Sequence, residues 1–210
     1  MTATPRIAVV DYGAGNLVSI QQALTSVGAT VVFVSDAEGL AGSDAVVVPG
    51  VGAAAPAMDR LGQQGLVEPL RTWLAADRPF LGICLGLQLL FESSDEDGAR
   101  TLGALAGTTE RLADAPTLPH IGWNQVVQRH PHPVFDGIPD GSDFYFVHSY
   151  AGVPRHGHDD PTVVAETTHG GTFVSTVARG ALLGVQFHPE RSGADGLRLL
   201  RNFVQLVGAA

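Results

Sequence analysis

The sequence holds a single cysteine, Cys84, set in the run Gly82-Ile83-Cys84-Leu85-Gly86 between an apolar strand-like stretch and a helix-patterned one. This is the nucleophile-elbow pattern G-x-S-x-G with a thiol in place of the hydroxyl. The flanking glycines serve a tight strand-to-helix turn and let neighbouring backbone approach the nucleophile closely. At a helix start, unpaired N–H groups and the positive dipole end favour a thiolate, and the N–H of Leu85 is the natural donor to an oxyanion. A lone thiol has no cysteine partner for a disulfide or a metal site, so the alternative is a buried apolar filler.

A thiolate nucleophile needs a base, and the base needs a third group to orient it. The run Gly184-Val185-Gln186-Phe187-His188-Pro189-Glu190 ends a second apolar strand pattern. If the chain stays extended through Pro189, His188 and Glu190 project to the same side, and the carboxylate can hold one imidazole nitrogen. Pro189 fixes its own φ and biases His188 toward that extended conformation. A strand-end His and Glu facing solvent is the alternative. The turn Pro49-Gly50-Val51-Gly52 follows another apolar strand, and Val51 and Gly52 offer N–H groups as a second oxyanion donor. A phosphate-binding turn is its rival reading, but the chain lacks the full P-loop pattern. His130, His132, His156 and His158 lie on Pro- and Gly-rich loops and read as solvated rather than as metal ligands, so no metal and no cofactor are expected.

These side chains require strands to carry them. Short β-branched runs at residues 7–10, 31–34, 45–48 and 80–83 alternate with helical patterns at 16–27, around 58–61, 66–75 and from 85 to about 92. Near-continuous apolar strands spaced by helices predict a parallel sheet covered on both faces. The second half predicts strands at residues 123–128, 144–147, 163–167, 172–177 and 182–187, then a final helix over about 194–206. Residues 154–161 read as an exposed loop. The expected fold is α/β, an open mixed, mostly parallel sheet flanked by helices, with residues 1–210 as one domain. In such sheets active sites gather beyond the carboxyl ends of strands, where Cys84 and His188 both fall.

Composition narrows the chemistry further. Of the 210 residues 45% are hydrophobic and 16% charged, which suits a core-forming chain rather than a disordered one. The net charge of −9 would repel a phosphate backbone, so nucleic acid is not an expected partner. All 12 basic residues are arginine, which excludes an amine nucleophile, a Schiff base or a P-loop lysine. The longest apolar stretch of interest, residues 79–91, is shorter than a bilayer span and is broken by Gly82, Gly86 and Gln88, so no membrane association is expected. The opening residues lack a signal-peptide pattern, and a cytoplasmic location is expected.

The turn at residues 49–52, the run Gly82-Ile83-Cys84-Leu85-Gly86-Leu87-Gln88 and the run Phe187-His188-Pro189-Glu190 together resemble the class I, or triad, glutamine amidotransferases, over nearly the whole chain. Three further stretches are similar to one branch, the glutaminase subunits of imidazole glycerol phosphate synthases. They are Asp11-Tyr12-Gly13-Ala14-Gly15-Asn16, Pro119-His120-Ile121-Gly122-Trp123-Asn124 and Tyr145-Phe146-Val147-His148-Ser149-Tyr150. The resemblance implies a Cys84-His188-Glu190 triad that hydrolyses glutamine through a thioester, with the oxyanion held by Leu85, Val51 and Gly52. Gln88, Glu96, His148, Ser149 and Tyr150 match positions that bind the amino-acid end of glutamine. It also implies a heterodimer with a (β/α)₈-barrel cyclase that uses the ammonia in histidine biosynthesis, with Asn16, Trp123 and Arg191 at the partner surface. Arg191 stands where the family usually has lysine, which keeps the charge but changes the donor geometry. A core tryptophan is the alternative for Trp123. The glutaminase of another class I enzyme, such as anthranilate synthase, and a non-catalytic scaffold of the same fold are the competing readings.

Overall fold

The computed structural model describes residues 4–209. The chain runs β1 Arg6–Val10, α1 Leu17–Ser26, β2 Thr30–Val34, α2 Ala37–Ala41, β3 Ala45–Gly50, α3 Ala54–Gln63, α4 Val67–Ala75, β4 Phe80–Cys84 and α5 Leu85–Gln88. It continues with β5 Ser93–Ser94, β6 Gly107–Arg111, β7 His120–Gln128, β8 Ser142–His148, β9 Tyr150–Pro154, β10 Val163–His169, β11 Gly171–Arg179, β12 Leu182–Val185 and α6 Gly193–Ala209.

Nine strands form one sheet in the order β2-β1-β3-β4-β12-β11-β10-β7-β8. The junctions from β2 through β12 are parallel, and those from β12 onward are antiparallel. The expected open mixed sheet flanked by helices is therefore present. The inner parallel strands β1, β3, β4 and β12 are buried on both faces, which is why they read as unbroken apolar runs, whereas the edge strand β2 is partly exposed. Ile7, Val9, Val47, Leu81 and Ile83 pack on one side with Ile20 and Leu24 of α1 and Leu199, Leu200 and Phe203 of α6. Ala8, Val10, Val46, Val48 and Phe80 pack on the other with Leu61, Leu70 and Leu87 from α3, α4 and α5. Among the described residues, no helix is long and apolar enough to cross a membrane.

Three local expectations are corrected. The helix after the elbow stops at Gln88 instead of reaching residue 92, because the carbonyls of Leu89, Leu90 and Phe91 accept from the N–H groups of Leu102, Leu105 and Gly103. A small sheet of β5, β6 and β9 covers the region beyond it; strand β5 is too short, and β6 too polar, to have been read as such. Residues 154–161 are not wholly solvated, since His158 pairs with the carboxylate of Glu166, which Arg129 also contacts.

Candidate active site

The parallel register sets β3, β4 and β12 side by side, with Gly50 opposite Cys84 and Val185 opposite Ile83. Their carboxyl ends therefore share one edge of the sheet. Cys84 sits there with φ 55° and ψ −107°, a conformation rare for a residue with a side chain. The two glycines of the elbow make this turn possible by close approach. A Cβ on Gly86 would lie 1.8 Å from the Val48 carbonyl oxygen, and one on Gly82 would lie 2.5 Å from the Gly86 oxygen. Because α5 has only four residues, its dipole is small, and the local N–H groups at its start carry the favourable field at the sulfur.

His188 and Glu190 are brought together, but not along an extended strand. Pro189–Arg191 forms a 3₁₀ turn, with the Arg191 N–H donating to His188 O at 3.0 Å and the Ser192 hydroxyl donating to the same oxygen at 2.6 Å. The turn is favoured because proline's fixed φ suits a helical first position, whatever it imposes on the residue before it. Nδ1–H of His188 donates to Glu190 Oε1 at 2.9 Å, which assigns the proton to Nδ1 and leaves Nε2 as the free base. Both side chains are buried, and neither Nε2 nor Glu190 Oε2 has a formed hydrogen bond among the described residues.

Burial pushes the His188 pKa down, but hydrogen bonding and charge from Cys84 and Glu190 outweigh that and hold it above the ordinary imidazole range. Nε2 faces the sulfur without a formed hydrogen bond to it. The arrangement can support an imidazolium–thiolate pair.

Cys84 opens into a cleft of about 210 Å³ lined by Val51, Gly52, Gln88, Glu96, His148, Ser149 and Tyr150, with Ala53, Pro119 and Val147. All five residues expected at the amino-acid end of glutamine thus border the same space as the sulfur. Leu85 is buried and contributes no side chain to the cleft, so its backbone N–H is what it can offer. Glu96 lies at the exposed margin, where partial burial and then Asp97 raise its pKa.

The residues expected at a partner surface fall into two groups. Trp123 is 57% exposed, which rules out the core alternative, and it packs edge-on to Tyr145, whose ring also carries the Arg191 guanidinium at 4.3 Å. Asn16 caps α1 by accepting from Ser19 N–H, and α1 packs against the 189–191 turn.

Sequence reasoning assigned no role to Gln186 or Tyr12. The Gln186 amide is fully buried and donates to Cys84 Sγ at 3.6 Å. The buried Tyr12 hydroxyl donates to Pro49 O at 2.8 Å, fixing the start of the turn at residues 49–52. Both lie inside motifs quoted above; for Gln186 the available signal was a large polar side chain within an otherwise apolar run.

A model of the glutamine amidotransferase class-I family matches residues 8–206. The chain belongs to the class I glutamine amidotransferase family. It is 45% identical over 202 residues to the imidazole glycerol phosphate synthase subunit HisH of Dehalococcoides mccartyi, covering 96% of this chain and 97% of that protein. With the protein of the same name from Moorella thermoacetica it shares 48% identity over 202 residues, covering 96% and 95%. Among solved structures, a glutamine amidotransferase from Thermotoga maritima matches with a TM-score of 0.69 at 18% identity, over 99% of this chain and 100% of that one. At that identity the structural match speaks to the fold alone.

Proposed function

We propose that the chain is the glutaminase subunit of an imidazole glycerol phosphate synthase, that residues 1–210 form one amidotransferase domain, and that Cys84, His188 and Glu190 are its triad. The observation that carries the reading is the meeting of the Cys84 elbow and the His188–Glu190 couple, hydrogen-bonded at 2.9 Å, beside a cleft sized for a small amino acid. The relatives at 45% and 48% identity narrow the branch.

In this mechanism Cys84 Sγ attacks the glutamine amide carbon while His188 Nε2 takes the thiol proton. The oxyanion is held by the N–H of Leu85 and by the turn at Val51 and Gly52. Collapse breaks the C–N bond, and His188 returns the proton so that ammonia leaves. A water, deprotonated by His188, then cleaves the thioester to glutamate and restores the thiol. Glu190 holds Nδ1–H and stabilises the imidazolium. Gln88, Glu96, His148, Ser149 and Tyr150 bind the amino-acid end of glutamine.

The ammonia passes to a (β/α)₈-barrel cyclase in a heterodimer. Asn16, Trp123 and Arg191 face that partner, and the neighbouring Val18 and Ile121, each 60% exposed, extend the surface. The biosynthetic role assigned to the relatives is in keeping with a cytoplasmic location.

Cys84→Ser tests the reading. With the cyclase present, the variant should lose glutamine-dependent synthesis by about a thousandfold or more, while added ammonium salts still support the partner. Glutamine-dependent turnover near the wild-type rate would overturn it.

A further inference from the structure

We infer that Gln186 is a catalytic residue of this site, its side-chain N–H donating to Cys84 Sγ so as to favour the thiolate. The inference rests on the reading of Cys84 as the nucleophile. Its foundation is the direction of a buried hydrogen-bond chain. The Tyr150 carbonyl oxygen can only accept, and Gln88 lies 2.8 Å from it, so Gln88 must present its Nε2 there. The same Nε2 lies 3.2 Å from the Gln186 side chain, which must therefore turn its Oε1 toward Gln88. A Gln186 amide with that orientation has its Nε2 on the opposite side, 3.6 Å from Cys84 Sγ. Reversing it would set two N–H donors against each other in a fully buried space, which costs the desolvation of an unmet group. The backbone carbonyl of Tyr150 thus dictates, two amides away, that the sulfur faces a donor.

The consequence concerns which form of the sulfur is favoured. A thiolate gains from an N–H pointed at it, and burial makes the donor more effective by keeping water out. Val147 O, 3.9 Å from the sulfur, opposes this weakly by accepting from the protonated thiol. The titratable groups facing Cys84 are Tyr12 from the loop after β1, His188 with Glu190 behind it, and, across the cleft, His148 and Glu96. His188 assists the thiolate by charge. Gln186 assists it with no charge and no proton of its own to lose, so its contribution persists across the working pH range.

Because Cys84 is the sole cysteine, alkylation of the full-length chain by iodoacetamide reports this one sulfur. The rate against pH gives the midpoint of the coupled Cys84–His188 pair. Gln186→Met, similar in volume but without the donor, should raise the midpoint by about one pH unit and slow labelling about tenfold at pH values below the midpoint. Gln186→Glu should raise it further by placing a carboxylate beside the sulfur. A folded variant with the wild-type midpoint would overturn the assignment, because a packing residue would leave the midpoint in place. If neither variant folds, Gln88→Met decides: it frees the Gln186 amide to turn its oxygen to the sulfur, so a raised midpoint supports the assignment and an unchanged one overturns it. Labelling of the wild type by a glutamine-mimicking electrophile separates the two claims. If Cys84 resists that reagent, the proposed function fails; if it reacts but the midpoint is insensitive to Gln186 and Gln88, only the present inference fails.

Discussion

Two turns flank the sulfur, and they are built on opposite principles. The elbow at Cys84 is packed tightly behind the sulfur: the backbone of β3 and the backbone of α5 stand so near Gly86 and Gly82 that no side chain fits at either position. The turn at residues 49–52 is held at its start, where the Tyr12 hydroxyl grips Pro49 O at 2.8 Å, and open at its end. Val51 is 49% exposed, and a Cβ on Gly52, at φ 96°, would meet nothing within 4 Å. The proposed nucleophile is thus positioned by folding itself, whereas packing within this chain leaves the proposed second oxyanion donor free to reorient. An amidotransferase that must not release ammonia unused gains from such a division, because the reactive atom can stay assembled while the donor is completed later.

The comparison breaks most readily at the elbow. Gly86→Ala would drive a methyl group into the Val48 carbonyl, an overlap with fixed backbone that rotamer changes cannot relieve. We expect a stability loss of about 3 kcal/mol or more, at or beyond the upper end for overpacking, together with loss of glutaminase activity. Chemical denaturation and alkylation of Cys84 measure both. A variant of native stability with a wild-type labelling rate would mean that the elbow has slack.

A smaller effect tests whether the wall opposite the elbow is equally fixed. His148 Nδ1 faces the Tyr150 carbonyl at 2.9 Å and must carry the proton, so its Nε2 accepts from His120 Nδ1 at 3.1 Å, and His120 Nε2 accepts from Asn124. Every position in this chain is filled by one neutral arrangement, and a further proton would face an N–H. Accordingly burial, with the neighbouring histidines adding to it, depresses the pKa of His148 to about 3 and of His120 to about 4. The unfolded chain takes up these protons near pH 6.5 and the folded one does not, so stability falls as the pH drops from about 6.5 toward 4. At pH 6 the pair should cost about 1.5 kcal/mol relative to neutral pH, growing by up to about 1.4 kcal/mol per further unit for each histidine. Urea titrations at stepped pH would reveal it, and a flat profile from pH 7 to 5 would mean that both rings are solvated.

The same contrast explains what could be read in the sequence. Packing that forbids alternatives leaves a strong imprint: Gly82, Gly86 and the apolar runs of β1, β3 and β4 were legible because nothing else can occupy those positions. The His188–Glu190 pairing was legible too, yet by a mistaken route, since the 189–191 turn and not an extended strand brings the two together. Gln186 escaped notice because its role depends on Gln88 and Tyr150, nearly a hundred and about thirty-six residues distant along the chain, and no local pattern records such a chain of donors. The short helix after the elbow escaped for a similar reason: residues 102–105 take its expected carbonyl partners.

The smallest expected effect is the most discriminating. Gly52→Ala places a methyl group in open space, so no clash arises; the cost is that of holding alanine at φ 96°, about 1 kcal/mol or slightly more. The fold should survive, and Cys84 should be alkylated at the wild-type rate, because none of the elbow's contacts involve residue 52. Glutamine hydrolysis in the complex should nevertheless change severalfold, since restricting φ at Gly52 alters how readily the Val51–Gly52 peptide swings its N–H toward the cleft, and an oxyanion donor is worth about a hundredfold to a thousandfold when fully lost. Two assays on one variant therefore read the two turns separately: labelling follows the elbow, and turnover follows the open turn. If labelling and turnover fall together, the turns are mechanically coupled and the division of labour between them is wrong. Should neither change, residues 51 and 52 do not supply the donor, and the oxyanion rests on Leu85 and other groups of the cleft.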